Sequence, residues 1–337
     1  MNMLLLVLPN IKFSNEVMYN FLSVTTEYLG FTSYPPAYLT QEAIRMNILI
    51  GVNFVSVASG YYNWIAWLWD AISLDQQLNY YNEYQNRVVN MVGQAKANAI
   101  FFGAIHLLRE NTFIQKSLNV VVQNIHFCIY LTSSFMQNYY FNPLLRVYSP
   151  DHFSDILIRS YSTFIQSLYG LGPRRIGVTS LPPTGCLLGA ITQFGSGGNQ
   201  CNIGLNQDAI LFNSKLNNTS QTLQKSLPGL KLVVFDIYQP LLDMITNPSE
   251  NEFSLLLFRT KDTNVKFLIY SCGRVFESRR VCCGTSTVEI SVLCNSRSIG
   301  TCNNATGHVF WDGFHPSEAA NQVLAGDLLE QGFYLIS

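Results

Sequence analysis

The sequence predicts an α/β protein built on a parallel sheet covered on both faces. Three observations carry the prediction. Short apolar runs alternate with longer segments of helical periodicity. The apolar runs are continuous rather than alternating, as expected of strands buried on both sides. The chain has 337 residues, 48% of them hydrophobic, enough to bury a large core.

The elements follow in order. Asn47 to Val57 reads as a buried strand leading into a loop, and Gly60-Tyr61-Tyr62-Asn63 as a turn. From Leu74 to about Leu108 the spacing of Leu78, Tyr81, Val88, Met91 and Val92 predicts a helix. A second helix is expected over Asp151 to Leu171, opened by Ser149-Pro150 and closed by Gly170 and Gly172. Arg175 to Ser180 reads as a strand, followed by Leu181-Pro182-Pro183-Thr184-Gly185-Cys186 as a rigid loop. Gln207 to Leu227 is helical, Lys231 to Asp236 a strand, and Ser317 to Glu330 the closing helix. Asn111 to Phe127 and Ser254 to Val275 show neither periodicity and read as atypical insertions in a single domain spanning 1–337.

Composition narrows the function. Charged residues are only 12% and the net charge is -1, so no basic field marks a nucleic-acid partner. No apolar run approaches the length of a transmembrane helix. Of the eight cysteines, Cys282, Cys283, Cys294 and Cys302 cluster late. Zinc is one reading of that cluster, but adjacent cysteines are poor tetrahedral spacing and there is no Cys-x-x-Cys. A disulfide framework of undetermined connectivity fits the even count better. Sequons at Asn217, Asn218 and Asn304 point the same way, toward a secreted glycoprotein. Met3 to Leu8 is apolar but too short, and too poor in flanking signals, for a secretory leader.

The chemistry concentrates at Trp311-Asp312-Gly313-Phe314-His315-Pro316-Ser317-Glu318. A carboxylate three residues before a histidine, on one loop, can fix the tautomer and orientation of the imidazole as a general base. Pro316 stiffens the loop and Ser317 opens the following helix. Asp-x-x-His alone is equally compatible with a solvated Asp and a His beside a helix N-terminus.

Further segments decide between these. Phe13-Ser14-Asn15, Glu27-Tyr28-Leu29-Gly30, Tyr34 to Leu39, Gly51 to Gly60, Gln137-Asn138-Tyr139-Tyr140, Arg174 to Val178, Leu181 to Cys186, Cys282-Cys283-Gly284 and Asp312 to Asn321 together resemble the plant GDSL esterase/lipase family of SGNH hydrolases, over nearly the full length. The resemblance implies a three-layer α/β/α sandwich with a parallel central sheet. It implies hydrolysis of carboxylic esters of small molecules or lipids by a serine nucleophile, outside the cell, with neither metal nor organic cofactor. Asp312 would orient His315, the general base. Oxyanion donors would come from Ala58 or Gly60 in the second block and from Ser133, where the family carries Asn, in the third.

One departure bears on activity. The family's nucleophile lies in Gly-Asp-Ser at the end of the first strand, and residues 1–337 contain no such tripeptide. The nucleophile is therefore unassigned: Ser14, Ser23 and Ser56 offer hydroxyls, none within that motif. The expectation is a fold without its first strand, with Met3 to Leu8 as a partial substitute, and a polypeptide inactive in this form. The alternatives are a non-catalytic relative that binds esters or lipids, or an interaction protein.

Overall fold

A computed structural model describes residues 35–44, 46–49, 51–54, 56, 59–68, 70–108, 125–126, 135, 139–195, 198, 200–248, 257–259, 266–268, 277–284, 294 and 298–336. Met3 to Leu8, Ser14, Ser23, Ala58 and Ser133 lie outside them.

Four strands, β1 (Ile105–Leu108), β2 (Ile125–His126), β3 (Arg175–Thr179) and β4 (Lys231–Phe235), form one sheet in the order β2-β1-β3-β4. Every pairing is parallel; β3 and β4 are in register from Arg175 opposite Lys231 to Thr179 opposite Phe235. A parallel sheet needs its faces covered, and helices do this. On one face Ile176, Val178 and Leu232 pack into a core with α2 (Leu74–Val92), α4 (Pro150–Gly170) and α6 (Ile203–Ser226). Gly177, between Ile176 and Val178, turns to the other face, where a Cβ would fall 2.3 Å from the Phe235 ring and 2.9 Å from Leu107. There α8 (Glu318–Gln331) and α9 (Phe333–Ile336) meet β3 and β4. The result is the three-layer α/β/α arrangement.

The helices start where their caps dictate. Ser73, Ser149 and Ser317 each accept a hydrogen bond from the backbone N–H three residues on, and Asn202 does the same for α6. Pro150 occupies the first turn of α4, where its lost donor has no intrahelical partner in any case. Three shorter helices were not expected from periodicity: α1 (Asn63–Leu68), α5 (Leu188–Phe194) and α7 (Tyr238–Thr246).

Two expectations are corrected. The described residues of the segment 47–57 form no strand. Met46–Leu49 is a 3-10 turn, and Asn53 forms a parallel bridge to Ala37. Ile48, Val52 and Phe54 are buried as the apolar run requires, but an irregular backbone buries them equally well. The helix expected from Leu74 to Leu108 breaks at Gly93, whose φ of 80° no helix accommodates. It resumes as α3 (Gln94–Gly103), and its last four expected residues are β1. In the two segments read as insertions, the described residues are β2 and a two-stranded antiparallel ribbon, β5 (Leu257–Arg259) with β6 (Lys266–Leu268).

The loop after β3 is pinned to α6. Asn213 accepts from Leu181 N–H at 2.7 Å and donates to Leu181 O at 2.9 Å. Thr184 Oγ1 donates to Leu205 O, and Gly185 N–H to Asn206 Oδ1, both at 2.8 Å. The Cys186–Cys201 disulfide closes the same junction.

Candidate active site

Asp312 and His315 face each other on the loop that enters α8. His315 Nδ1 lies 2.8 Å from Asp312 Oδ1 and 2.7 Å from Oδ2. Asp312 is fully buried, and the His315 side chain is 12% exposed. A carboxylate offers only acceptors, so the contact requires the proton on Nδ1. Oδ1 also accepts from the backbone N–H groups of Phe314 and His315, both at 2.9 Å. Three donors converging on one buried carboxylate hold it at a fixed angle and offset the cost of its desolvation. With Nδ1 committed to Asp312, Nε2 on the opposite side of the ring is the atom that can exchange a proton with a substrate or nucleophile.

The loop owes its shape to two backbone frames. Phe310 and Pro316 pair antiparallel, and Trp311 N–H donates to His315 O at 2.8 Å, closing a tight turn around Asp312. Ser317 Oγ accepts from Ala320 N–H, and its own N–H donates to Val309 O at 2.7 Å, fixing the loop to the helix start. Outside the turn, Cys282 N–H donates to Phe310 O and Cys283 N–H to Trp311 O. Both cysteines are in disulfides, Cys282–Cys302 and Cys283–Cys294. These sulfurs are therefore bonded to each other rather than available as metal thiolates, and the late cysteine cluster braces the Asp312–His315 loop.

A second support was not legible beforehand. Gly189, in the first turn of α5, donates its N–H to Gly313 O at 2.7 Å, and the Phe314 ring lies over it. A Cβ at Gly189 would fall 2.4 Å from Phe314 Cε2. The requirement for glycine arises across 125 positions of chain, so no local pattern announces it.

Among the other candidates, Gly60 is buried in the turn ahead of α1, and its neighbour Ser59 accepts from Gln77 Nε2 at 2.7 Å. Ser56 Oγ accepts from Ile72 N–H at 2.9 Å, which gives this hydroxyl a structural role in the same turn. Asn217 and Asn218 are exposed on α6. Asn304 is exposed in a loop, and its Oδ1 accepts from Thr306 N–H at 3.0 Å and Thr306 Oγ1 at 2.7 Å. No helix among the described residues is long and apolar enough to cross a membrane.

Comparison with known proteins bears on this geometry. A family model described as GDSL-like lipase/acylhydrolase matches residues 23–328. The GDSL esterase/lipase At5g03810 of Arabidopsis thaliana is 55% identical over 315 residues, covering 93% of this chain and 77% of its own. At5g03820 of the same plant is 55% identical over 316 residues, with the same coverage. At3g53100, also from Arabidopsis thaliana, is 51% identical over 314 residues, covering 93% of this chain and 78% of its own.

Proposed function

The chain belongs to the GDSL-like lipase/acylhydrolase family, a family of carboxylic ester hydrolases, and from that membership we propose that Asp312 and His315 are the orienting acid and the general base of its ester-hydrolase site. The observation that carries this is the double contact of the buried Asp312 carboxylate with His315 Nδ1, at 2.7 and 2.8 Å.

In the reaction so assigned, His315 Nε2 takes the proton of a serine hydroxyl as its oxygen bonds to the ester carbonyl carbon. Asp312 stabilises the imidazolium that results. The same proton passes to the leaving alkoxide as the ester C–O bond breaks, and a water repeats the sequence to release the acid. The negative oxygen of the tetrahedral intermediate would be met by backbone N–H groups at Ala58 or Gly60 and by Ser133. Removing one donor at such a position costs on the order of 10²–10³ in rate.

No Gly-Asp-Ser occurs in residues 1–337, and Ser56 is held by Ile72. We read the polypeptide of residues 1–337, which contains no Gly-Asp-Ser, as hydrolysing esters no faster than background. Secretion, and N-glycosylation at Asn304 or at Asn217 and Asn218, belong to the same reading; the exposure of all three side chains supports it.

The test is p-nitrophenyl butyrate hydrolysis by the chain, by its His315→Ala variant, and by a fusion that adds a Gly-Asp-Ser-bearing segment ahead of residue 1. Equal background rates for the first two, with His315-dependent turnover in the third, are expected. His315-dependent turnover in the unfused chain refutes the inactivity. A fusion whose turnover is indifferent to His315 refutes the base.

A further inference from the structure

The first turn of α8 carries a buried amide that the reaction above does not use. Asn321 is fully buried, and the helix otherwise buries Ala319, Ala320, Leu324, Ala325 and Leu328. Burying an amide is unfavourable unless its polar atoms are paired, and an aliphatic side chain would pack there without that requirement. The partner explains the choice. Asn321 Nδ2 donates to Pro316 O at 3.1 Å, one residue beyond His315.

That carbonyl lies ahead of the helical ladder. Ser317 is the N-cap, so its own carbonyl is the first in the ladder and accepts from Asn321 N–H at 3.0 Å. Ala320 N–H, which would reach Pro316 O in a continuing helix, is taken by Ser317 Oγ at 3.1 Å. Pro316 is buried, and a buried carbonyl needs a donor from the protein. Asn321 therefore holds two successive carbonyls, Pro316 through its side chain and Ser317 through its backbone.

The torsion so fixed is one that aims His315. The His315 main chain is closed into the turn at both ends, its N–H on Asp312 Oδ1 and its C=O on Trp311 N–H. Asp312 and His315 thus move as one unit. The pyrrolidine ring locks φ of Pro316, which leaves its ψ as the soft dihedral between this turn and α8. The peptide that ψ rotates, Pro316–Ser317, is pinned at both polar atoms, its N–H by Val309 O at 2.7 Å and its C=O by Asn321 Nδ2. We propose that Asn321 is a positioning residue, which acts through Pro316 to set the direction in which the Asp312–His315 turn presents Nε2. The inference rests on the assignment of His315 as the base and adds the residue that aims it.

The test is nuclear magnetic resonance of the 337-residue chain beside Asn321→Leu, which keeps the side-chain volume and removes the donor, and Asn321→Ala, which also leaves a cavity. Both variants should keep the proton on Nδ1, because Asp312 lies in the same turn. Both should show microsecond-to-millisecond exchange broadening of the His315 ring signals that the unaltered chain lacks. Both should also exchange the Gly189 N–H, which ties the turn to α5 through Gly313 O, about five- to tenfold faster. The alanine variant should melt lower than the leucine variant while loosening His315 to the same extent. A folded Asn321→Leu whose His315 broadening and Gly189 exchange match the unaltered chain overturns the inference and leaves the base assignment standing. Loosening that tracks the melting temperature across the two variants overturns it as well, in favour of a role in stability alone. An unaltered chain with no proton on Nδ1 overturns the base assignment itself, and this inference with it.

Discussion

Gly185→Ala is a severe test of how the candidate site is supported. A Cβ at Gly185 would fall 2.0 Å from the backbone oxygen of Asn202 and 3.0 Å from its carbonyl carbon. No side-chain rotation relieves this, because the obstruction is main chain. The two segments are also joined there by two hydrogen bonds, Asn202 N–H to Gly185 O and Gly185 N–H to Asn206 Oδ1, both 2.8 Å. Separating them costs about 1–3 kcal/mol as overpacking and about 1 kcal/mol for each hydrogen bond disturbed. The opposing effect is smaller: alanine restricts the unfolded chain and returns about 0.4–1 kcal/mol. The clash wins, and a net loss of about 2–4 kcal/mol is expected from urea unfolding monitored by near-ultraviolet circular dichroism. Gly170→Ala is the control. At the end of α4, with no atom within 4 Å of its Cβ position, it should be neutral or slightly stabilising. A Gly185→Ala protein within about 0.5 kcal/mol of the unaltered chain would refute the packing argument.

Two further outcomes follow from the same structure. Gly189→Ala must displace the Phe314 ring; it should destabilise by about 1–2 kcal/mol and move the His315 resonances, while Gly189→Ala in a Phe314→Ala background should do neither, so additive effects in that double-mutant cycle would sink the idea. Asp327 on α8 has its carboxyl pushed up to about 6 from 3.8, first by burial and then by the charges of Glu330 and Asp243. The folded state therefore holds its proton more tightly than the unfolded one, and that contribution is complete below the unfolded value and lost as pH rises through about 6. Asp327→Asn should flatten the pH dependence of the melting temperature between about 4 and 6 and add on the order of 1 kcal/mol at neutral pH after solvent screening; an unchanged slope would contradict the burial argument.

What the sequence discloses follows the range of the interaction. Asp312 and His315 are three residues apart, and Ser317 caps the next helix, so this contact and its loop could be read from adjacent residues. Strands β3 and β4 were equally legible, because continuous apolar runs of that length bounded by turns have few other fates. The segment 47–57 was misread because Ile48, Val52 and Phe54 are buried in a strand or in an irregular turn alike, and periodicity does not separate the two. The break at Gly93 was hidden for another reason: a glycine in a helical pattern is tolerated unless its φ is positive, which only the fold decides. Gly185 and Gly189 are needed because of Asn202 and Phe314, and the disulfide pairs become definite only once Cys282 and Cys283 run beside Phe310 and Trp311. These are tertiary facts, outside any window of sequence.

The central claim is that Asp312 fixes His315 as a base with its reactive nitrogen at Nε2. Nitrogen-15 resonance of the His315 imidazole, recorded on the chain at neutral pH, tests this without any need for turnover. The account predicts a proton on Nδ1, facing Asp312, with conversion to a mixture or to the Nε2–H form in Asp312→Ala. A His315 that is already Nε2–H in the unaltered chain would contradict it.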